Sequence, residues 1–232
     1  PRLLTSHNTP KGSSNYDLAV SGATLYLANA GGLRIMDLTS PQSLVTRSNF
    51  EGRGRWVRGV DVVGSTAYIA TSMHGGASWL QIIDVSDPTK PIQAGVFRST
   101  GGAQDVSVSG DLAVLADRAA GIVVLNVSEP QSVRRVGYFR TKGHANKVDI
   151  FGELAFVAVD GDAGERTMIV IRYAVMVVVP VKLWTSNTLH YCPRFRLYPA
   201  RISKRAVVAG QEPLWFAVLA GLPSRTIASH TE

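Results

Sequence analysis

A glycine set between two short apolar runs recurs four times, at Gly22, Gly64, Gly110 and Gly152, with intervals of 42, 46 and 42 residues. Such a period constrains the chain more than its composition does. Each copy must fold as one unit that buries its apolar face against the next. An alternating apolar pair precedes each glycine: Leu18 and Val20, Val60 and Val62, Val106 and Val108, Val148 and Ile150. A second run follows it, at residues 25–28, 67–70, 113–116 and 155–158, and each of these ends in alanine. After a turn comes a third run, at residues 33–38, 80–85 and 122–127, begun in the fourth copy at 168–171. Pro41, Pro88 and Pro130 then fall at one place, with Phe50, Phe97 and Phe139 nine residues further on. Each copy reads as four short strands in about 40–45 residues, the period of a propeller blade. The glycines suit tight strand turns because they reach positive φ without a steric penalty. The prolines sit between strands, where no ladder N–H is lost.

The inner runs are apolar on consecutive residues rather than alternating, which places apolar groups on both faces of the strand. A sheet sandwiched between two others satisfies that pattern. The recurrence of Ala28, Ala70, Ala116 and Ala158 at one position suggests close approach between sheets. A solenoid of stacked hairpins would also bury both faces, but the four-strand unit and its period favour the propeller. The fold class read from the chain is therefore all-β. Its units are four-stranded antiparallel blades of about 42–46 residues, forming a partial propeller or a four-bladed one.

Two strings carry a family resemblance: Leu80-Gln-Ile-Ile-Asp-Val-Ser-Asp-Pro88 and Ala158-Val-Asp-Gly-Asp-Ala-Gly164. They resemble the LVIVD repeat, a β-propeller motif of bacterial and archaeal surface or secreted proteins. The resemblance covers roughly residues 15–171. It implies a propeller and an extracellular, cell-surface or periplasmic location, and it brings no catalytic residues to transfer.

The repeat stops abruptly. Asp84 follows its turn glycine by 20 residues, and the same offset in the fourth copy lands on Arg172. Residues 1–14 read as the end of a preceding blade or a linker. Residues 15–171 read as propeller repeats, divided at about 15–56, 57–102, 103–145 and 146–171. Residues 172–232 read as a basic, apolar tail outside the repeat, with the character of a frame change. Charge supports the division: residues 1–171 hold 16 Lys+Arg against 15 Asp+Glu, and residues 172–232 hold 8 against 2. The net charge of +7 thus belongs almost wholly to the tail, and the body lacks the gathered basic face that a phosphate backbone needs. Nucleic acid is not an expected partner. The longest unbroken apolar run, residues 174–181, is far short of a membrane helix, so no transmembrane segment is expected. Cys192 alone excludes an internal disulfide. The start at Pro1, with no basic n-region or apolar h-region, suits a chain that begins after processing or inside a longer gene product.

Chemistry-bearing residues are scattered. Residues 52–58 and 142–147 read as links between blades, opening on one face near the channel, so Arg53, Arg55, Arg58, His144 and Lys147 form a candidate cationic mouth for an acidic partner. The long turn of the second copy offers His74 and Trp79 as further ligand contacts. Asp160 and Asp162 lie in a turn that fails the EF-hand spacing, which leaves only a weak calcium candidate and no other metal or cofactor. No nucleophile elbow or His-Glu-x-x-His occurs, and no catalytic residue is assigned. Asp61 and Asp149 share one repeat position, three before the turn glycine. The function expected is a non-catalytic scaffold for a protein or glycan partner at the cell surface or in the envelope. The alternative is a hydrolase or lyase acting on a polysaccharide or small molecule at the channel face.

Overall fold

The computed structural model describes residues 3–6, 14–54, 56–73, 76–161, 164–173 and the backbone of 177–181. Four separate four-stranded antiparallel sheets follow one another along the chain, each in simple up-and-down order. The first holds β1 (Asn15–Ser21), β2 (Thr24–Asn29), β3 (Gly32–Asp37) and β4 (Val45–Phe50). The second holds β5 (Trp56–Val63), β6 (Thr66–Ser72), β7 (Ser78–Asp84) and β8 (Ile92–Ser99). The third holds β9 (Asp105–Ser109), β10 (Leu112–Ala116), β11 (Ile122–Asn126) and β12 (Arg134–Phe139), with a single 3-10 turn at Pro130–Ser132 before its last strand. The fourth holds β13 (Gly143–Phe151), β14 (Leu154–Gly161), β15 (Arg166–Arg172) and β16 (Val177–Val181). These are propeller blades. The fourth is completed by backbone from beyond Ile171, where the sequence repeat ends. The link residues 143–147 begin the inner strand β13. Residues 182–232, Cys192 among them, lie outside the described residues, so the reading of the tail rests on sequence alone.

The turn glycines do what their spacing predicts. Each opens a two-residue hairpin loop, and their φ values are +56, +59, +56 and +58°. Positive φ at that position matches the right-handed twist of the flanking strands.

First strands pack on first strands: β1 beside β5, β5 beside β9, and β9 beside β13. They form the axial side of the array, and the fourth strands form its exposed rim. The core lies between blades. Ile35, Leu33 and Ala28 of the first blade meet Ile69, Ile83 and Val60 of the second. Leu80, Ile82 and Ala70 on the other face of the second meet Leu115, Leu125 and Val106 of the third. Val114, Ile122 and Val124 on the far face of the third meet Val157, Ile169 and Ile171 of the fourth. Ile82 and Ile83 thus face opposite neighbours, which is why the third-strand runs are apolar on successive residues. Ala28, Ala70 and Ala116 are fully buried, but Ala158 is exposed. It lies on the face of the fourth blade turned away from the third. The first blade likewise leaves Leu18 50% and Val20 42% exposed.

Each blade also carries irregularities at fixed places. In the first three blades the register slips between the third and fourth strands, leaving Arg47, Ala94 and Val136 as β-bulges, each six residues after its proline. Asp37, Asp84 and Asn126, at the ends of third strands, each accept from the N–H two residues on, that of Thr39, Ser86 and Ser128. These turns explain the recurring Asp/Asn-x-Ser/Thr of the repeat. The same hydrogen bonds hold the carboxyls of Asp37 and Asp84 below the usual carboxylate range. No helix among the described residues is long and apolar enough to cross a membrane.

Candidate functional site

The inner strands carry a second bulge. In the first, second and fourth blades the register between first and second strands skips Tyr16, Arg58 and Asn146. Each stands six residues before its turn glycine. A bulge puts an extra residue into one strand and re-aims its side chain. The third blade has Gln104 at this level, just before β9. Its N–H donates to the Ala116 carbonyl at 2.8 Å and its Nε2 to the Gly102 carbonyl at 3.0 Å. A ring of polar or aromatic side chains therefore sits at one axial end.

Arg58 is the charged member of that set. Its guanidinium carbon lies 4.3 Å from the Tyr16 ring centroid and 4.9 Å from that of Trp56. Both are within cation–π range. Its Nε is buried and has no hydrogen-bond partner among the described residues. The open side faces a cleft of about 510 Å³ whose lining includes Trp56, Gln104, Arg118 and His144, with Ser72, Met73, Gly101 and Gly102 beside them. Among the described residues no carboxylate lines it. Arg118 enters from the turn between β10 and β11 with φ +42°, the sole positive φ outside glycine among the described residues. Its backbone N–H donates to the Ala145 carbonyl at 3.0 Å and its carbonyl accepts from the Ala145 N–H at 3.1 Å. That pair fixes the turn of the third blade to the inner strand of the fourth.

One to three residues further along the inner strands the charge reverses. Asp17 accepts from the Val60 N–H at 3.0 Å, Asp61 from the Val108 N–H at 2.9 Å and Asp105 from the Val148 N–H at 3.1 Å. Every described junction between blades is thus held by a carboxylate of one inner strand on a backbone N–H of the next. Lys147 lies here too, its Nζ 3.7 Å from Asp17 and 3.6 Å from Asp105.

Of the residues singled out in the sequence, Arg58 and His144 come together in the cleft. Lys147 is turned to the axial carboxylates. Arg53 is exposed at its side chain, while its N–H donates to Gln81 Oε1 and its carbonyl accepts from Gln81 Nε2. Trp79 is half-buried on β7, paired with Arg98 of β8, and does not line the cleft. Asp160 accepts from Asn146 Nδ2 at 2.8 Å. Arg55, His74 and Asp162 lie outside the described residues. Among the described residues no three His, Cys, Asp or Glu side chains gather as a metal group. Tyr16, Trp56, Gln104 and Arg118 were not singled out. The one sequence signal for the first and third is the repeat position that they share with Arg58.

The LVIVD-repeat family model matches residues 12–51, 54–98 and 100–141, more than half of the chain and the first three blades. The chain belongs to the LVIVD-repeat family. Solved structures of similar fold include the computationally designed protein Ika8, at 7% identity and TM-score 0.53, with 70% of this chain and 46% of that one covered. The designed Ika4 is similar at 10% identity and TM-score 0.55, covering 72% of this chain and 97% of that one. A candidate 6-phosphogluconolactonase from Bacteroides uniformis is similar at 11% identity and TM-score 0.55, covering 70% of this chain and 55% of that one. The LVIVD-repeat chain therefore spans about half the length of the first and third. No curated protein matches it.

Beside the cleft of this LVIVD-repeat chain, Asp117 is 1% exposed. Its Oδ2 accepts from the Ser99 hydroxyl and, at 3.1 Å, from the Gly101 N–H, while Oδ1 has no hydrogen-bond partner among the described residues. Burial pushes its carboxyl above the ordinary range against the opposing pull of those hydrogen bonds. A carboxyl whose folded-state pKa lies above its unfolded value binds its proton more tightly when folded. Stability from this group is therefore greatest below the ordinary value of about 4 and falls as pH rises toward the raised one. Asp117→Asn keeps an acceptor for Ser99 and Gly101 and removes the charge. The first blade already has Asn29 at the equivalent place, seven residues after its turn glycine. The variant should gain about 1 kcal/mol at pH 7 and lose that slope. Urea midpoints at pH 4 and pH 7 read both effects, and an unchanged slope would rule Asp117 out as its source.

Proposed function

We propose that this LVIVD-repeat chain is a non-catalytic binding scaffold of the cell surface or envelope, and that its axial cleft receives an acidic partner. The observation that carries the reading is the cleft lining: Arg58, Arg118 and His144 converge there, and among the described residues no carboxylate lines the cleft to neutralise them. Positive potential gathered in a concave site draws anionic groups and raises their encounter rate. Three inner-strand carboxylates of the kind a glycosidic or hydrolytic mechanism would use, Asp17, Asp61 and Asp105, are engaged with the backbone of the next blade. The likeness to the candidate phosphogluconolactonase, at 11% identity, concerns the fold and gives no hydrolase reading. The location rests on the family resemblance.

The test is retention of the full chain on immobilised polyglutamate and polygalacturonate, with dextran and polylysine as neutral and basic controls. Binding to both acidic supports at low ionic strength, released as screening rises toward 1 M salt, is the expected outcome. Equal retention on dextran, or none on either acidic support, overturns the reading.

A further inference from the structure

We propose that the cleft is a site for an acidic sugar, a pyranose-sized ring whose carboxylate lies against the open edge of the Arg58 guanidinium. This rests on the binding reading above and names its ligand class.

Three features of the site point to a carboxylate. The bulge at Arg58 turns its side chain out of the ladder and into the cleft, and the Tyr16 and Trp56 rings cover its flanks. The buried, unpartnered Nε shows that water has been stripped from that side, so the charge is only partly solvated. An anion on the open side therefore meets a cation in lowered local dielectric, where the attraction is stronger than in bulk water. The second cation, Arg118, is held in the left-handed region, a conformation that persists only where its surroundings impose it. Its two hydrogen bonds to Ala145 impose it here. Both cations of fixed charge are arginines. Their planar forks match the two oxygens of a carboxylate better than the point charge of a lysine does.

The rest of the lining suits a sugar ring. Ser72, Gln104 and His144 offer hydroxyl, amide and imidazole groups around one aromatic wall, Trp56. Gly101 and Gly102 add a stretch of lining without side chains, where a ligand can approach the backbone closely. Gly102 has φ +103°, and a Cβ there would stand 3.4 Å from the Arg118 side chain. A cleft of about 510 Å³ is ample for a monosaccharide.

Calorimetric titration of the full chain with D-galacturonate, D-galactose and inorganic phosphate tests the assignment. Galacturonate should bind, with galactose and phosphate each at least about ten-fold weaker. Arg58→Met keeps an unbranched stem between the two rings and removes the charge, and should lose about ten-fold or more for galacturonate. Arg118→Gly should lose several-fold while its Tm rises, because glycine removes the strain along with the side chain. Circular dichroism of each variant must keep the β spectrum of the parent. Undiminished galacturonate binding in a folded Arg58→Met variant overturns the proposal, and so does phosphate binding as tight as galacturonate. If the chain is retained on the acidic supports but galacturonate neither binds nor competes, the acidic sugar falls and the acidic-partner reading stands. If neither support retains it, both fall.

Discussion

Gly95→Ala is expected to cost about 3 kcal/mol, the upper end of what overpacking a well-filled interior does. Gly95 is buried in β8 at the rim, where the second blade meets the 3-10 turn of the third. A Cβ there would fall on the Pro130 carbonyl group, 2.6 Å from its carbon. Backbone cannot rotate out of the way as a side chain can, so the two blades must separate. The equivalent junction of the first and second blades is spaced for a larger group. There Ser48 donates its hydroxyl to the Pro88 carbonyl at 2.6 Å. Gly64→Ala is the control: its φ is +59° but nothing lies within 4 Å of the added carbon, so it should cost only about 1 kcal/mol. Guanidinium midpoints separate the two. A Gly95→Ala loss no larger than that of Gly64→Ala would mean that the rim can slide.

Asp105→Ala should cost about 2–3 kcal/mol. The side chain is buried, its Oδ2 holds the Val148 N–H, and Lys147 Nζ stands 3.6 Å from Oδ1. Alanine leaves a buried N–H without an acceptor and the ammonium with one carboxylate instead of two. Asp105→Asn retains an acceptor and should recover much of the loss. Lys147→Met by itself should destabilise by about 1 kcal/mol, since Lys147 is partly exposed and its ion pairs are long. The double variant should lose less than the sum, which a double-mutant cycle reads directly. A fully additive cycle would show that Lys147 and Asp105 do not interact in solution.

The fold was legible because its determinants are periodic. Turn glycines, second-strand alanines and rim aromatics return every 42–47 residues, and successive apolar residues such as Ile82 and Ile83 require neighbours on both sides. The cleft was only half legible because its parts come from three blades and from departures from regular pairing. A bulge shifts the register by one residue without altering residue types, so nothing in the string separates Arg58 from Gly59 or Asn146 from Lys147. That single residue decides whether a side chain enters the cleft or turns to the axial carboxylates, and it is why Lys147 reads as part of a cationic mouth. Tyr16 stacks on a cation 42 residues away along the chain. Arg118 contributes through a left-handed backbone that its residue type does not announce. The staples of Asp17, Asp61 and Asp105 were hidden because their partners are main-chain N–H groups, which every residue but proline carries.

Those staples have a parity. Asp17 and Asp105 stand five residues before their turn glycines, and Asp61 and Asp149 stand three before theirs. The donors alternate to match, with N–H groups given by Val60 and Val148 on one pattern and by Val108 on the other. The true translational unit is thus a pair of unlike blades, 88 residues from Asp17 to Asp105 and again from Asp61 to Asp149. A circle laid with two alternating tiles meets without a seam only when the number of tiles is even. An odd-numbered ring of these blades would set two of one kind side by side, and the carboxylate at that seam would face the N–H pattern of the wrong neighbour.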